Sequence, residues 1–148
     1  MITIRRLGPG DQDILAALAR DDAAFDEEGR GRAREPIAPA GSAGYLADEN
    51  VLHWVAESDG AVVGHLLCYV QRRRADDPVQ VMLYEIGVRK DRRRQGIGRA
   101  LVAEMDAWMA KNGVSKVLVL STNEAEPFYA ACGFSRDDPP PIQMTRRT

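Results

Sequence analysis

Tyr84-Glu85-Ile86-Gly87-Val88-Arg89-Lys90-Asp91-Arg92-Arg93-Arg94-Gln95-Gly96-Ile97-Gly98-Arg99-Ala100-Leu101 is the stretch on which the reading of the fold turns. An apolar strand ends near Val88, a basic, glycine-containing turn follows from Arg89 to Gly98, and a helix begins. The first turn of a helix presents backbone N–H groups without partners and the positive end of a dipole. Glycines at 96 and 98 let a bulky anion approach the backbone. Arg93, Arg94 and Arg99 add charge. A pyrophosphate cradle has this composition, and so does a solvated basic turn before an ordinary helix. On glycine and arginine content alone the two readings stand level.

Working outward, Val79 to Val88 reads as one apolar strand with Glu85 embedded near its end. The helix continues to about Asn112, carrying Ile97, Leu101, Met105 and Trp108 on one face, and Gly113 is its stop. Lys116 to Ser121 is a short buried strand, and Glu124 to Cys132 a short helix ended by Gly133. Ile142 to Arg146 is one more strand candidate, after Pro139-Pro140-Pro141. Upstream, Val51 to Glu57 and Ala61 to Gln71 are strands joined through Asp59-Gly60, a hairpin signal. Ile2 to Leu7 alternates as a first strand, and Asp11 can cap a helix burying Ile14, Leu15 and Leu18. Gly29 to Gly41 is rich in Gly, Arg, Ala and Pro and reads as a mobile loop, and Ser42 can cap a short second helix. The order β-α-α-β-β-β-α-β-α-β implies an α/β (α+β) fold with one mixed sheet, antiparallel first and parallel around the long helix.

Composition narrows the classes. The chain has 148 residues, with 20 Lys and Arg against 22 Asp and Glu, a net charge of −2. That length suits a single domain over 1–148 with a real core. Near-neutral charge argues against a protein whose main work is gripping nucleic acid. No apolar run reaches a membrane span, and Met1 to Arg5 carries no signal-peptide core, so a cytoplasmic protein is expected. Cys68 and Cys132 lie far apart and are expected as reduced thiols. His53 and His65 are too few and scattered for a metal, and none is expected.

The run Arg93-Arg94-Gln95-Gly96-Ile97-Gly98 resembles the R/Q-x-x-G-x-G/A signature of the GCN5-related N-acetyltransferase (GNAT) superfamily. Asn123 followed by Phe128-Tyr129-Ala130-Ala131-Cys132-Gly133-Phe134 resembles its second signature, at the usual separation. The resemblance covers nearly the whole chain. It implies a mostly antiparallel sheet flanked by helices, splayed between the fourth and fifth strands to take acetyl-coenzyme A (acetyl-CoA). It implies that the pyrophosphate lies on the backbone of Arg94, Gln95, Gly96, Ile97, Gly98, Arg99 and Ala100, with Arg93 beside it. Pantetheine would run along Ile86, Gly87 and Val88 as an added strand, with Asn123 holding its arm. Phe128 and Tyr129 would help bind the cofactor, with Tyr129 near the thioester sulfur; otherwise Tyr129 is a packed aromatic with Phe128 as its core neighbour. Within the superfamily, Tyr84-Glu85-Ile86-Gly87-Val88 and the acidic Phe25-Asp26-Glu27-Glu28 resemble aminoglycoside 3-N-acetyltransferases. The arginine-rich Gly29 to Gly41 loop departs from that pattern, because it would repel a cation.

Glu85 interrupts an apolar strand where the sheet should open, so it needs a function or a partner. As a catalytic residue it would take the proton of an attacking amine or hold the ammonium. Otherwise it faces solvent or pairs with an arginine. An unperturbed Glu has a pKa of ~4.3, so the transfer is uphill unless burial raises it. Tyr129 would protonate the leaving thiolate or stabilise it by hydrogen bonding. Asp26, Glu27 and Glu28, with Tyr84 and Glu85, would bind a cationic substrate. Otherwise the acids are a solvated helix end. Glu124 and Glu126 fit better as partners of a helix N-terminus, and His53 and His65 as strand residues. The reading is an acetyl-CoA-dependent N-acetyltransferase acting on the 3-amine of an aminoglycoside. A protein N-terminus, lysine or polyamine is the alternative acceptor, and a non-catalytic CoA-binding module the alternative class. A homodimer stays open.

Overall fold

A computed structural model describes residues 1–25, 35–76 and 78–148. Five strands form one sheet: β1 (Thr3–Arg6), β2 (Val51–Ser58), β3 (Ala61–Arg72), β4 (Val79–Val88) and β5 (Val117–Val119), side by side in chain order. The first four are antiparallel, and β5 runs parallel to β4. Helices α1 (Gln12–Arg20), α2 (Asp22–Phe25) and α3 (Pro39–Ala47) lie between β1 and β2 in the chain. Helix α4 (Ile97–Lys111) joins β4 to β5, and α5 (Glu126–Ala131) follows β5. Antiparallel neighbours need only tight turns, whereas the parallel pair needs a helical crossover, which α4 supplies. The β2–β3 turn places Asp59 at φ 53° and Gly60 at φ 78°, the paired positive values of a two-residue hairpin.

Alternation along the strands gives the sheet two buried faces. Leu52, Trp54 and Ala56 of β2, Leu66 and Cys68 of β3, and Val81 and Leu83 of β4 pack with Ile97, Leu101, Val102, Met105 and Met109 of α4. Burying such a side chain stabilises by roughly 1.5–3 kcal/mol against leaving it in water, so this face anchors α4. Val55 on the opposite face packs with Leu18, Phe25 and Leu46 of α1, α2 and α3. Gly64 seats the start of α4, because a Cβ there would lie 2.9 Å from Ile97 Cγ2 and 3.3 Å from Leu101 Cδ1.

The register of β3 and β4 shifts within the strand. Leu67 faces Glu85 while Cys68 faces Leu83, so Tyr84 is an inserted residue. The parallel pairing with β5 covers only Val81, Met82 and Leu83. Beyond that point the outer edge of β4 has no strand beside it among the described residues, and the sheet opens at the level of Glu85.

Four expectations need correction. Ile142 to Arg146 forms no strand, and Ile142 and Met144 are 86% and 89% exposed, because the segment lies on no strand edge. Ser42 does not cap a helix. It is buried inside α3, whose first residue is Pro39, and its hydroxyl donates to the Pro39 carbonyl at 3.0 Å. Asp11 precedes α1 without a side-chain bond to the helix. It accepts instead from the Gly8 N–H at 2.8 Å and from the Arg5 guanidinium at 3.0 and 3.1 Å. Among the described residues three helices, not two, separate β1 from β2. Residues 29–34 of the expected Gly29 to Gly41 loop lie outside the described residues, and its last three, Pro39 to Gly41, are instead the start of α3.

Candidate active site

The opening between β4 and β5 is the mouth of a cavity of about 640 Å³. One wall is the Ile86-Gly87-Val88 end of β4, another is α5 through Ala125, Phe128 and Tyr129, and the third is the turn entering α4. In that turn Arg94 sits at φ 63° and Gly96 at φ 78°, both left-handed. Left-handed backbone at a non-glycine residue costs free energy and is concentrated at functional turns. The first backbone bond of α4 runs from the Ala100 N–H to the Gly96 carbonyl at 3.0 Å. The N–H groups of Ile97, Gly98 and Arg99 therefore precede the helical ladder and are offered to a ligand together with the helix dipole. Gly98 fixes the spacing of α4 and α5, since a Cβ there would stand 3.0 Å from Phe128 Cε1.

The arginines of the turn have unequal duties. The Arg93 guanidinium donates to the Val88 carbonyl and to the Phe25 carbonyl, each at 3.2 Å, tying the end of α2 to the end of β4. Arg92 donates to Ser58 Oγ at 3.1 Å and to Gln95 Oε1 at 3.4 Å. Arg94 and Arg99 are exposed. The sequence motif groups these residues, but at Arg93 the structural contacts to Phe25 and Val88 stand out.

Of the residues expected to hold the acetyl donor, the structure gathers Ile86, Gly87, Val88, Arg93, Arg94, Gly96, Ile97, Gly98, Phe128 and Tyr129 around the cavity. Gln95, Arg99 and Ala100 flank its lining within the turn and first helical residues. Asn123 is exposed and outside the lining, where its neighbour Thr122 takes part. Tyr129 is buried, with the rings of Phe128 and Phe134 at 5.5 and 5.6 Å. Phe25, Arg92, Thr122 and Ala125 also line the cavity. Arg92 lies in the basic turn and Phe25 beside the acidic run, but neither is among the residues expected to bind the donor, and Thr122 and Ala125 carry no motif.

Glu85 is half-buried on the face of the sheet turned away from α4. Its charge, behind burial, helps hold the Tyr45 and Tyr69 hydroxyls above the usual phenol range, so the carboxylate is within electrostatic reach of both. Tyr84 is 58% exposed and meets Tyr69 edge-on, with ring centres 5.3 Å apart. Asp26, Glu27 and Glu28 lie outside the described residues. Glu126 is the first residue of α5, the expected helix N-terminal place, and its carboxylate accepts from the Arg136 guanidinium. Cys68 is buried against Met105, and burial pushes its thiol up to about 12. Cys132 is a free thiol, also pushed up by burial, which does not suit a nucleophile. No group of three or more metal-ligating side chains occurs among the described residues.

A family model described as "Acetyltransferase (GNAT) family" matches residues 15–134. The chain belongs to the GNAT family of acetyltransferases. Among curated proteins, it is 34% identical over 100 residues to N-acetyltransferase family 8 member 3 of Mus musculus, covering 62% of this chain and 42% of that one. The chain thus spans less than half the length of that relative. Among solved structures it superposes on an aminoglycoside acetyltransferase from an uncultured soil metagenomic sample, with a TM-score of 0.83 and 19% identity over 100% of this chain and 99% of the other. It also superposes on an aminoglycoside N-acetyltransferase in complex with CoA, at TM-score 0.75 and 16% identity over 99% and 95% of the chains. At these identities the superpositions show the GNAT fold. GNAT acetyltransferases take their acetyl group from acetyl-CoA. This GNAT site suits that donor on its own geometry: an opened strand edge for an extended arm, and unbonded N–H groups with a left-handed glycine for a pyrophosphate. No helix among the described residues is long and apolar enough to cross a membrane.

Proposed function

We propose that this acetyltransferase moves the acetyl group of acetyl-CoA to a primary amine of a polycationic small molecule, in particular the 3-amine of an aminoglycoside. One observation carries the acceptor class. On the face opposite α4, near the open end of β4, Glu85 lies within electrostatic reach of Tyr45 and Tyr69, and Tyr84 meets the Tyr69 ring edge-on. Aromatic faces and a carboxylate together attract ammonium groups. Acceptors named for solved neighbours of the same fold support the choice of an aminoglycoside.

In this reading the N–H groups of Ile97, Gly98 and Arg99 receive the pyrophosphate, and the edges of Ile86 and Val88 receive the pantetheine arm. The amine nitrogen attacks the acetyl carbonyl, the carbon–sulfur bond breaks, and the thiolate leaves. Glu85 orients the ammonium and accepts the first of its protons, which frees the nitrogen lone pair; the second proton leaves as the nitrogen–carbon bond forms. Tyr129, in the cavity wall formed by α5, stabilises the sulfur.

The test is thiol release from acetyl-CoA with sisomicin, spermine and a short peptide with a free N-terminus, across a range of salt. The aminoglycoside should be the best acceptor and gain the acetyl group at its 3-amine. Its KM should rise with salt, because the Debye length shrinks to about 3 Å at 1 M. A peptide preferred over both polycations, or a salt-insensitive KM, would overturn the acceptor class. A polycation acetylated elsewhere would overturn the regiochemistry alone.

A further inference from the structure

Two histidines from different strands are joined in the interior. His53 Nε2 and His65 Nδ1 lie 3.0 Å apart, and Tyr45 Oη lies 2.9 Å from His53 Nδ1. His53 and His65 are 5% and 6% exposed, while Tyr45, on α3, is only half-buried. The chain Tyr45–His53–His65 therefore runs from near the surface into the sheet. At its inner end, His65 stands across from Gly87 in the β3–β4 register, and a Cβ built on Gly87 would lie 3.4 Å from His65 Nε2. Gly87 lines the cavity, as does Phe25, whose ring meets His65 edge-on at 5.3 Å. Any larger residue at 87 would stand between the imidazole and the cleft. Among the described residues, no hydrogen bond is recorded for His65 Nε2, and no buried side-chain nitrogen or oxygen lacks a partner. That nitrogen therefore keeps some exposure, on the side of Gly87 and Phe25, which line the cavity, although His65 itself is not in the lining.

We propose that Tyr45, His53 and His65 form a proton relay that takes up the reacting amine's second proton beside Gly87, at the cavity wall, while releasing another at Tyr45. As the nitrogen–carbon bond forms and the carbon–sulfur bond breaks, the proton on nitrogen passes to His65 Nε2. The His65 Nδ1 proton moves to His53 Nε2, the His53 Nδ1 proton moves to Tyr45 Oη, and the Tyr45 hydroxyl proton leaves to water. Each ring gains one proton as it gives one, so none stores a charge. After product leaves, the reverse shift takes a proton from water at Tyr45 and releases one to water in the cleft, restoring the starting tautomers.

The surroundings suit this mode. Burial pushes His53 down to about 3, with His65 adding to the effect, and pushes His65 down to about 4, so both rings are neutral at pH 7. Among the described residues, the titratable groups acting on Tyr45 are Tyr69 and Glu85. From α2 the chain meets Phe25, an uncharged ring. The relay divides the work with Glu85: the carboxylate takes the first proton of the ammonium, and the relay takes the one shed as the nitrogen–carbon bond forms. It requires an amine acceptor, as the proposed function does, but not a polycationic one.

The test compares His53→Gln and Tyr45→Phe with the parent protein. Glutamine keeps a hydrogen bond but cannot exchange one proton for another, and phenylalanine keeps the ring that meets His53 at 6.0 Å. Each should lower kcat, by about 10²-fold for His53→Gln, at the low end of acid–base effects. KM for acetyl-CoA should not change. A proton inventory in mixed light and heavy water should be bowed for the parent and linear for both variants. Nitrogen-15 spectra of the parent should show two neutral rings at pH 7 sharing one bridging N–H proton. Parent-like kcat and a bowed inventory in both variants would overturn the relay. So would a charged ring or the absence of the bridging proton. If no amine is acetylated, the proposed function fails, and the ring spectra still decide whether the relay exists.

Discussion

Replacing Gly96 separates two reasons for the glycine. The residue precedes α4 at φ 78° and ψ 10°, and no atom lies within 4 Å of the place a Cβ would occupy. The protein itself therefore leaves room for a side chain, and the cost is in the backbone. A non-glycine residue held left-handed costs roughly 1–2 kcal/mol, and a β-branched one lies toward the ~3 kcal/mol end for strained sites. At roughly 2–4 °C per kcal/mol for a chain of this size, Gly96→Val should melt about 4–8 °C lower. Its side chain also projects into the cavity that Gly96 lines. If the turn relaxes, the N–H groups of Ile97, Gly98 and Arg99 lose their aim. Either effect should weaken CoA binding by at least ~10-fold, the equivalent of 1.4 kcal/mol. Gly96→Asn is the control, because asparagine tolerates left-handed backbone. It should melt within about 3 °C of the parent and still bind CoA less tightly if occlusion matters. Melting curves and calorimetric CoA titrations read both quantities. A Gly96→Val protein that melts and binds like the parent would refute the assignment of this turn as the cradle.

Other substitutions probe other parts of the site. Glu85→Gln keeps size and hydrogen bonding but removes the charge, so kcat should fall ~10²–10⁴-fold, with CoA affinity unchanged by titration. Tyr129→Phe should cost less in steady-state kcat than Glu85→Gln, since a thiolate is a tolerable leaving group. Asp11 is held below its ordinary value chiefly by hydrogen bonding with Arg5, outweighing the opposite push of burial. Its stabilisation is present above the unfolded pKa of ~3.9 and is lost as pH falls through the lower folded value. Asp11→Asn should therefore melt slightly lower at pH 7, by no more than the ~1 kcal/mol of an exposed pair, with the difference closing in strong acid.

The fold was legible where local signals agreed with tertiary demand. Val79 to Val88 is an apolar run of strand length, and the glycines and arginines after it announce the turn into α4. The tail misled because Ile142 to Arg146 alternates like a strand, and alternation cannot say whether a free sheet edge is near. Ser42 misled because Pro39, fit for the first helical position, was the better start signal for α3. At the site, residues inside the two sequence signatures could be named, whereas Thr122 and Gly64 arrive by tertiary contact alone. His53 and His65 read separately as plain strand residues. The hairpin register sets Val55 opposite His65 and His53 opposite Leu67, which makes the histidines diagonal neighbours on one face. The inserted Tyr84, which shifts the register beside Glu85, left no mark in the apolar pattern.

The central claim is that acetyl-CoA docks at the opening of β4 with its pyrophosphate on the first turn of α4. Backbone amide spectra of the nitrogen-15-labelled protein during a CoA titration test it directly. The account predicts that the amides of Ile97, Gly98 and Arg99 shift most, as their unbonded N–H groups gain acceptors, together with those at the Ile86 to Val88 edge. Saturable shifts centred elsewhere, with these amides unmoved, would contradict it.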